Sequence, residues 1–282
     1  MSLVSSKKML LDAQSGGYAV GAFNAENLEM VQAIVAAAVE ARSPVMIQTT
    51  PSTLKYASPS AFFGMVRAEA AAADVDVALH LDHGSDFTLC AQCLRAGYTS
   101  IMIDGSKESL EDNIALTTRV VEMCHAAQVP VEAELGEVGG KEDSLVSKGD
   151  HMTDPADAVR FVRETGVDSL AVGIGTAHGV YKSAPHLDID RLAQIRDVVS
   201  VPLVLHGASG LTEKNVRDCI ERGICKVNFA TELRQAATAA IREFLGTDAE
   251  AFDPKKYGKL ARAAVKAQVL TRMAMCGSVG RG

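Results

Sequence analysis

The sequence lacks the features that mark three common classes of protein. It has no block of Lys or Arg, and its 28 basic residues face 35 acidic ones, which gives a formal net charge of −7. No stretch approaches the roughly 18 uninterrupted apolar residues that cross a membrane, and the first residues contain no long apolar targeting segment. We therefore expect a soluble, cytoplasmic protein that binds neither nucleic acid nor membranes. The charge of its ligand must then be neutralised by groups inside a pocket.

A disulfide framework and a cysteine-based metal site are also absent. The six cysteines lie in an acidic chain without a secretion signal, so we expect reduced thiols. Cys90 and Cys93 form a C-x-x-C pair within a predicted amphipathic helix, but no second pair completes a zinc knuckle. Core packing is therefore the favoured interpretation of these cysteines.

The sequence does contain a regular alternation of strands and helices. Short apolar runs rich in β-branched residues predict eight strands, at 19–24, 45–50, 77–83, 100–105, 131–136, 169–175, 203–207 and 226–230. Helical patterns separate them, at Glu26–Arg42, Pro59–Ala73, Asp86–Ala96, Ser109–Ala127, Pro155–Thr165, Ile189–Val199, Glu213–Arg222 and Glu232–Leu245. Eight such units predict an α/β fold of the (β/α)8 TIM-barrel type, and 282 residues suit one barrel domain spanning 1–282.

Two segments do not fit the repeat. Residues Gly136–Asp154 form a polar, glycine-rich connection much longer than an ordinary loop of a β/α barrel, and such a length predicts a functional lid. The tail from Asp253 onward predicts an extra C-terminal helical segment, which we expect to contribute to oligomer contacts.

Active-site residues of β/α barrels lie at the C-terminal ends of the strands. The predicted strand ends carry a concentration of polar side chains: Asn24, Thr50, Asp82, His83, Asp104, Glu134, His178, His206 and Asn228. Solvation of a barrel mouth accounts for only a few such residues. The sequence therefore predicts an active site at this end of the barrel.

Three histidines at these ends, His83, His178 and His206, are each followed by a glycine. Three imidazoles from separate strand ends can hold one tetrahedral zinc ion and leave a position open for substrate. His80 is interpreted as a core residue, because alternation points it deeper into the barrel. The same alternation would place Asp82 and His83 on opposite faces, so we expect the strand to end there.

Two small-residue turns predict a phosphate site. Residues 207–210 (GASG) follow the seventh predicted strand, and residues 228–231 (NFAT) lead from the eighth strand into its helix. Backbone N–H groups at a helix start, next to the loops after strands seven and eight, recur as a phosphate site in this fold. The alternative is a pair of tight turns that need small residues.

With these residues in place, the chain resembles the class II ketose-bisphosphate aldolases, and most closely the tagatose-bisphosphate aldolases. The resemblance extends from Tyr18 to the tail. Its motifs are AFNAEN, LHLDHG, IMIDGS, VEAELGEVGGKED, GTAHGVYKS, LVLHGASGL and KVNFATEL.

The resemblance implies a role for each site residue. Zn²⁺ would be held by His83, His178 and His206, with Glu134 and Asp104 beside it or as alternate ligands. Asp82 would take the proton of the C4 hydroxyl, and Glu142, in the Gly-rich lid, would move the proton at C3. The implied substrate-binding residues are Asn24, Thr50, Gly179, Lys182, Gly207, Ser209, Asn228, Ala230, Thr231 and Lys255. Asn228 would hold the enediolate, and a monovalent cation (Na⁺ or K⁺) would assist phosphate binding.

The implied reaction is the reversible cleavage of tagatose 1,6-bisphosphate into dihydroxyacetone phosphate and glyceraldehyde 3-phosphate by a homodimer or homotetramer. Ala230 favours tagatose, since many fructose-bisphosphate aldolases have Asp there. Lys255 stands where relatives have an Arg that reaches the distal phosphate across a subunit boundary, and Lys cannot make the bidentate fork.

Two alternatives stay open, and a third is discounted. The first is a different substrate, fructose 1,6-bisphosphate or another phosphorylated ketose, because the motifs do not distinguish these sugars. A non-catalytic companion subunit should lack part of the ligand set, and this sequence lacks none of it. A Schiff-base aldolase needs a buried inward Lys, and Lys226 is discounted because it is expected at the start of the eighth strand, the wrong end of the barrel.

Overall fold

A computed structural model describes residues 3–142, 145–147, 151–179, 181, 185–248 and 250–282, with the side chains of residues 141–142 and 145–147 outside the description. The strands are β1 (Val20–Asn24), β2 (Val45–Thr49), β3 (Val77–Gly84), β4 (Ser100–Ile103), β5 (Val131–Leu135), β6 (Gly139–Glu142), β7 (Leu145–Ser147), β8 (Ser169–Val172), β9 (Ala177–His178), β10 (Leu203–Leu205) and β11 (Ile224–Phe229). Eight of them close a parallel barrel in the order β1-β2-β3-β4-β5-β8-β10-β11. The predicted TIM barrel is confirmed.

The helices connect and surround these strands. They are α1 (Ser6–Gly16), α2 (Leu28–Ala41), α3 (Pro51–Tyr56), α4 (Pro59–Ala71), α5 (Phe87–Ala96), α6 (Leu110–Ala126), α7 (Pro155–Thr165), α8 (Ile189–Val198), α9 (Glu213–Glu221), α10 (Thr231–Thr247) and α11 (Pro254–Cys276). Side-chain caps start many of them, as Ser58 does for α4 and Thr212 for α9. No described helix has the length and apolar character that a bilayer crossing requires.

Alternation along the barrel strands separates two kinds of core. Side chains such as Phe23, Leu79 and Val227 point outward and pack beneath the helices in the main hydrophobic cluster. The inward side chains of Val20, Ala22, Met46 and Ala78 form a second cluster inside the barrel. Above that apolar floor the inward positions become polar toward the C-terminal ends, where the predicted site residues lie.

The short helix α1 closes the N-terminal end of the barrel, which the sequence did not lead us to expect. Met9, Leu10 and Ala13 of α1 join the inner apolar cluster. Just before it, the amide of Val4 donates to the carbonyl of Val77 at the start of β3 (2.9 Å). Helix α1 therefore supplies part of the apolar floor of the barrel.

The extra C-terminal helix is confirmed as α11. Asp253 caps its start by accepting from the amide of Lys255 (3.0 Å), and Gly277 ends it in the left-handed conformation (φ 70°). The helix packs against α2 and α10 on the outside of the barrel. Its contribution to an oligomer stays a prediction.

The long Gly136–Asp154 segment contains regular structure that the sequence reasoning missed. Strands β6 and β7 pair antiparallel, and β6 pairs in parallel with β9 through Gly139↔Ala177 and Gly140↔His178. The result is a three-stranded sheet separate from the barrel. Its short strands, rich in glycine and polar residues, give no strand signal of their own.

Candidate metal centre and active site

The three predicted imidazoles converge at the barrel mouth. Their ring centroids lie 4.7 Å (His83–His206), 5.1 Å (His83–His178) and 6.1 Å (His178–His206) apart. One nitrogen from each lies within 4.8 Å of the others. Three nitrogen donors in a cluster of this size suit a zinc ion with an open coordination position. His178 comes from β9 rather than directly from a barrel strand.

Asp82 and His83 both face the site, but β3 does not end there as expected. The strand runs on to Gly84, with a register shift against β4 between Leu81 and Gly84. His83 takes a left-handed backbone conformation (φ 48°), which turns its side chain inward after Asp82. Gly84 is required next, because a Cβ there would lie 2.3 Å from the carbonyl oxygen of Met102.

Asp104 orients His83. Its Oδ2 lies 2.7 Å from Nδ1 of His83, while its Oδ1 accepts from the amide (3.0 Å) and hydroxyl (2.7 Å) of Ser106. Burial alone would raise the pKa of Asp104, but the contacts with His83 and Ser106 outweigh it and hold that pKa well below its usual range. The carboxylate is therefore charged and fixes the His83 ring from behind.

His206 contacts a glutamate at each ring nitrogen. Nδ1 lies 2.8 Å from Oε2 of Glu134, and Nε2 lies 3.0 Å from Oε1 of Glu132. Burial would lower the pKa of His206, but its hydrogen bonds to Glu132 and Glu134 raise it to about 9. The two carboxylates thus contact both nitrogens of one ring.

Asp104 and Glu134 belong to a second group that could hold a metal. His83, Asp104 and Glu134 each offer a donor atom within 4.8 Å of the others. This group shares His83 with the three-histidine group, so the two positions are adjacent. The five residues predicted as ligands or alternate ligands are all brought together.

Asp82 lies at the centre of a ring of amides. Its Oδ2 accepts from Nδ2 of Asn24 (3.1 Å) and Nε2 of Gln48 (3.2 Å), and its Oδ1 accepts from Nδ2 of Asn228 (3.0 Å). All four side chains are buried. The carboxylate is therefore held rigidly beside the histidines, an arrangement that would suit a group that transfers protons.

The predicted phosphate-binding residues line one small cavity beside His178. They are Gly179, Gly207, Ser209, Asn228, Ala230 and Thr231. The Ser209 hydroxyl accepts from the amides of Ala230 (3.2 Å) and Thr231 (3.3 Å) at the start of α10. Gly207 (φ 66°) is required, because a Cβ there would lie 2.8 Å from the backbone of Ala177. The α10 N-terminus favours an anion here.

A larger cavity of about 510 Å³ opens on another side of His83. Its lining includes Thr50 and Asp104, and it carries two lysines, Lys55 and Lys107, together with the acidic residues Asp86 and Glu108. The two lysines are the cationic groups of this lining that can contact a second anionic group of a substrate.

Comparison with known proteins identifies the family. The family model for class II fructose-bisphosphate aldolases matches residues 4–281 of this chain. The chain belongs to this family. The aldolase is therefore a carbon–carbon lyase.

Solved structures agree with this identification. The YdjI aldolase from Escherichia coli K12 is 39% identical to the aldolase, with 99% of each chain covered and a TM-score of 0.89. A protein from Coccidioides immitis assigned as a fructose-1,6-bisphosphate aldolase is 34% identical over 97% of this chain and 96% of the other, with a TM-score of 0.88. The fructose-bisphosphate aldolase Fba from Campylobacter jejuni shares the fold (TM-score 0.86, 100% and 97% covered) at 21% identity.

Three predicted residues of the aldolase are not placed in the site. Lys182 lies outside the described residues, and Glu142 is described only by its backbone in β6. Lys255 is 87% exposed and pairs with Asp253 (2.9 Å) at the start of α11. It lines neither of the two site cavities among the described residues.

Sequence reasoning missed three side chains close to the site and misplaced a fourth. Gln48 binds Asp82, and Glu132 binds His206. The hydroxyl of Tyr181 accepts from the amide of Ala177 (2.8 Å) and donates to the carbonyl of Gly207 (2.7 Å), which joins two loops beside the small cavity. A polar residue inside an apolar strand was the available signal for Gln48 and Glu132, whereas Tyr181 gave none.

The fourth is Lys226, whose predicted position was wrong. It is the third residue of β11 rather than the start of the strand, and its side chain is fully buried inside the barrel. Its ammonium group lies 2.9 Å from Oε1 of Glu132. It is thus an inward buried Lys, but one engaged in an ion pair.

Proposed function

We propose that this aldolase uses zinc to cleave tagatose 1,6-bisphosphate reversibly into dihydroxyacetone phosphate and glyceraldehyde 3-phosphate. The observation that carries the proposal is the convergence of His83, His178 and His206 at the barrel mouth, with Asp82 beside them. This donor set fits zinc better than magnesium or calcium, which prefer oxygen ligands. Zinc, when bound, would supply a Lewis acid for the negative charge that develops next to the broken bond.

The protein residues would handle two protons. Asp82 would take the proton of the C4 hydroxyl as the C3–C4 bond breaks, because its carboxylate is fixed by Asn24, Gln48 and Asn228. The bond electrons remain on C3, and C4 becomes the aldehyde carbon. Glu142, carried by the β6–β7 hairpin, would then deliver a proton to C3. Two carboxylates on separate elements allow the two transfers to be separate steps.

The two cavities would bind the ends of the substrate. The phosphate of the dihydroxyacetone half would lie at Gly207, Ser209 and the start of α10, with a monovalent cation assisting as the resemblance implies. The aldehyde half would extend into the 510 Å³ cavity toward Lys55 and Lys107. These two lysines, or Lys255 of a neighbouring subunit in a homodimer or homotetramer, would neutralise a distal phosphate.

Fructose 1,6-bisphosphate is the second candidate substrate. The Coccidioides immitis protein assigned to that sugar is 34% identical to this chain. Against it stands Ala230, which lacks the carboxylate that many fructose-bisphosphate aldolases place two residues after the Asn. The two sugars differ at one hydroxyl, so pocket shape decides between them.

The test is a cleavage assay on purified protein with both bisphosphates and with tagatose 1-phosphate. We expect tagatose 1,6-bisphosphate to have the highest kcat/KM, a chelator to abolish cleavage and added zinc to restore it. Replacing Lys55 and Lys107 with Ala should reduce kcat/KM for the bisphosphate but not for the monophosphate.

Two results would contradict the proposal. Trapping of a protein adduct by borohydride in the presence of substrate would indicate a Schiff base and overturn the zinc mechanism. Zinc-loaded protein without turnover on any ketose phosphate would instead support a non-catalytic companion subunit.

A further inference from the structure

Beneath the active site lies a cluster of buried polar side chains with no part in the proposed reaction. His80, Ser100, Glu132 and Lys226 are all inside the barrel and at most 3% exposed. They lie on β3, β4, β5 and β11, one layer below Asp82, Glu134 and Asn228. Buried charges are costly unless they are paired, so such a cluster needs a reason.

The contacts of His206 show which of its nitrogens faces the metal site. Nδ1 lies 2.8 Å from Glu134, which is itself a candidate ligand, so Nδ1 is on the metal side. Nε2 points the other way, into the barrel, and lies 3.0 Å from Oε1 of Glu132. A neutral imidazole carries one proton, and the partner of each nitrogen decides where that proton stays.

Glu132 is in turn held by Lys226. The ammonium Nζ lies 2.9 Å from the same Oε1 that contacts His206. Nζ also lies 3.4 Å from Nε2 of His80, whose Nδ1 is 2.7 Å from the hydroxyl of Ser100. Because an ammonium only donates, this contact makes Nε2 of His80 an acceptor and leaves its Nδ1–H to donate to Ser100. The donor and acceptor roles of Lys226, His80 and Ser100 are thus consistent with one another, while Oε2 of Glu132 has no hydrogen-bond partner among the described residues.

We propose that Glu132 is a positioning residue that selects the Nε2–H tautomer of His206, and that Lys226 holds Glu132 in place for this purpose. An ionised carboxylate can only accept a hydrogen bond, so it keeps the proton on Nε2 and leaves the lone pair of Nδ1 for the metal. Carboxylate support of this kind raises the affinity of a histidine ligand. The inference rests on the proposed function to the extent that His206 binds zinc.

The first measurement is zinc affinity, which needs no substrate. Apo protein competes with a chromogenic chelator for zinc, and we expect Glu132→Gln and Lys226→Met each to bind zinc about 10- to 100-fold more weakly than wild type. The double variant should lose much less than the product of the two single effects, because both act on one contact. Ser100→Ala is the matched control, since it alters the buried cluster without touching Glu132 or His206, and should leave zinc affinity unchanged.

The second measurement is direct and uses the wild-type protein. Nitrogen-15 NMR of histidine-labelled, zinc-loaded protein should show His206 protonated at Nε2 and bound through Nδ1. Binding through Nε2, or a folded Glu132→Gln variant with wild-type zinc affinity, would overturn the proposal. Zinc affinities that change as expected in a protein that cleaves no ketose phosphate would instead refute the proposed function and leave the positioning role standing.

Discussion

Asp82 and Glu142 differ in how firmly the protein holds them. Asp82 accepts three amide hydrogen bonds inside the barrel mouth. Glu142 belongs to the β6–β7 hairpin. Among the described residues, the other strand that pairs with this hairpin is β9, which has two residues. A rigid group suits the proton of the C4 hydroxyl, which is fixed by the substrate, whereas a group on the hairpin suits a proton delivered after the aldehyde has formed.

This difference predicts separable effects on partial reactions. Glu142→Ala should slow both overall cleavage and exchange of solvent deuterium into C3 of dihydroxyacetone phosphate. Asp82→Ala should reduce cleavage by roughly 100- to 10,000-fold but spare most of that exchange, because exchange involves no aldehyde. His206→Ala is the comparison that should lose zinc and both reactions. Equal loss of exchange in the Asp82 and Glu142 variants, with zinc retained, would show that the two protons are wrongly assigned.

At the scale of elements, the β6–β7 hairpin pairs directly with a residue of the candidate metal centre. Gly140 of β6 pairs with His178 of β9, a candidate ligand. A Cβ at Gly140 would lie 2.3 Å from the carbonyl oxygen of His178, and its backbone is in the left-handed region (φ 88°). Only glycine allows the hairpin to approach the ligand this closely.

Gly140→Ala should therefore disturb His178 as well as the hairpin. We expect weaker zinc binding and a loss of kcat/KM of at least about 10-fold, since one ligand of the site is displaced. The matched control is Gly64→Ala in α4, where a Cβ meets nothing within 4 Å. That substitution should stabilise the helix by about 1 kcal/mol and leave zinc affinity unchanged. Wild-type zinc affinity in Gly140→Ala would show that hairpin and ligand are independent.

The elements that the sequence predicted are those with strong local patterns. The eight barrel strands and the helices between them have clear periodicity and caps, and they are confirmed with their ends shifted by a few residues. The six-residue α3, the β6–β7 hairpin and α1 were missed. The first two are too short or too rich in glycine to show a period, and α1 is recognisable only by the barrel floor that it covers.

At the scale of the whole molecule, closure of the barrel explains which residues of the candidate site could be predicted to lie together. Residues at strand ends could be grouped from the sequence, because the fold brings all such ends together. Glu132 and Lys226 lie on the fifth and eighth strands of the barrel, three strands apart in chain order, but meet across the barrel interior. That contact depends on the relative register of the closed strands, which no single strand reveals. The bulge that turns His83 inward was hidden for the same reason.

At the N-terminal end of the barrel, Asp168 links elements that are distant in the chain. Asp168, directly before β8, accepts from the amide of Val131 (2.9 Å) at the start of β5 and contacts His125 of α6 (2.7 Å). Its other oxygen lies 2.8 Å from Nζ of Lys7 on α1. Burial would raise the pKa of Asp168, but the contacts with Lys7, Val131 and His125 outweigh it and lower that pKa.

The stability of the whole fold should therefore depend on the charge of Asp168. Because its folded-state pKa lies below its unfolded value, its contribution is fully present above about pH 4 and is lost as the pH falls through the folded pKa. Asp168→Asn should reduce the free energy of unfolding by about 1–2 kcal/mol near neutral pH, a value lowered for the partial exposure of Lys7.

Urea unfolding of both proteins across the acid range measures the difference, which should shrink as the pH falls. Asp12→Asn is the control, because the Lys8–Asp12 pair on α1 is exposed and joins no second element, so its removal should cause no measurable change. If the free energy of unfolding of wild type and Asp168→Asn differed by the same amount at every pH, packing and neutral hydrogen bonds, and not the charge of Asp168, would hold α1, α6 and the two strands together.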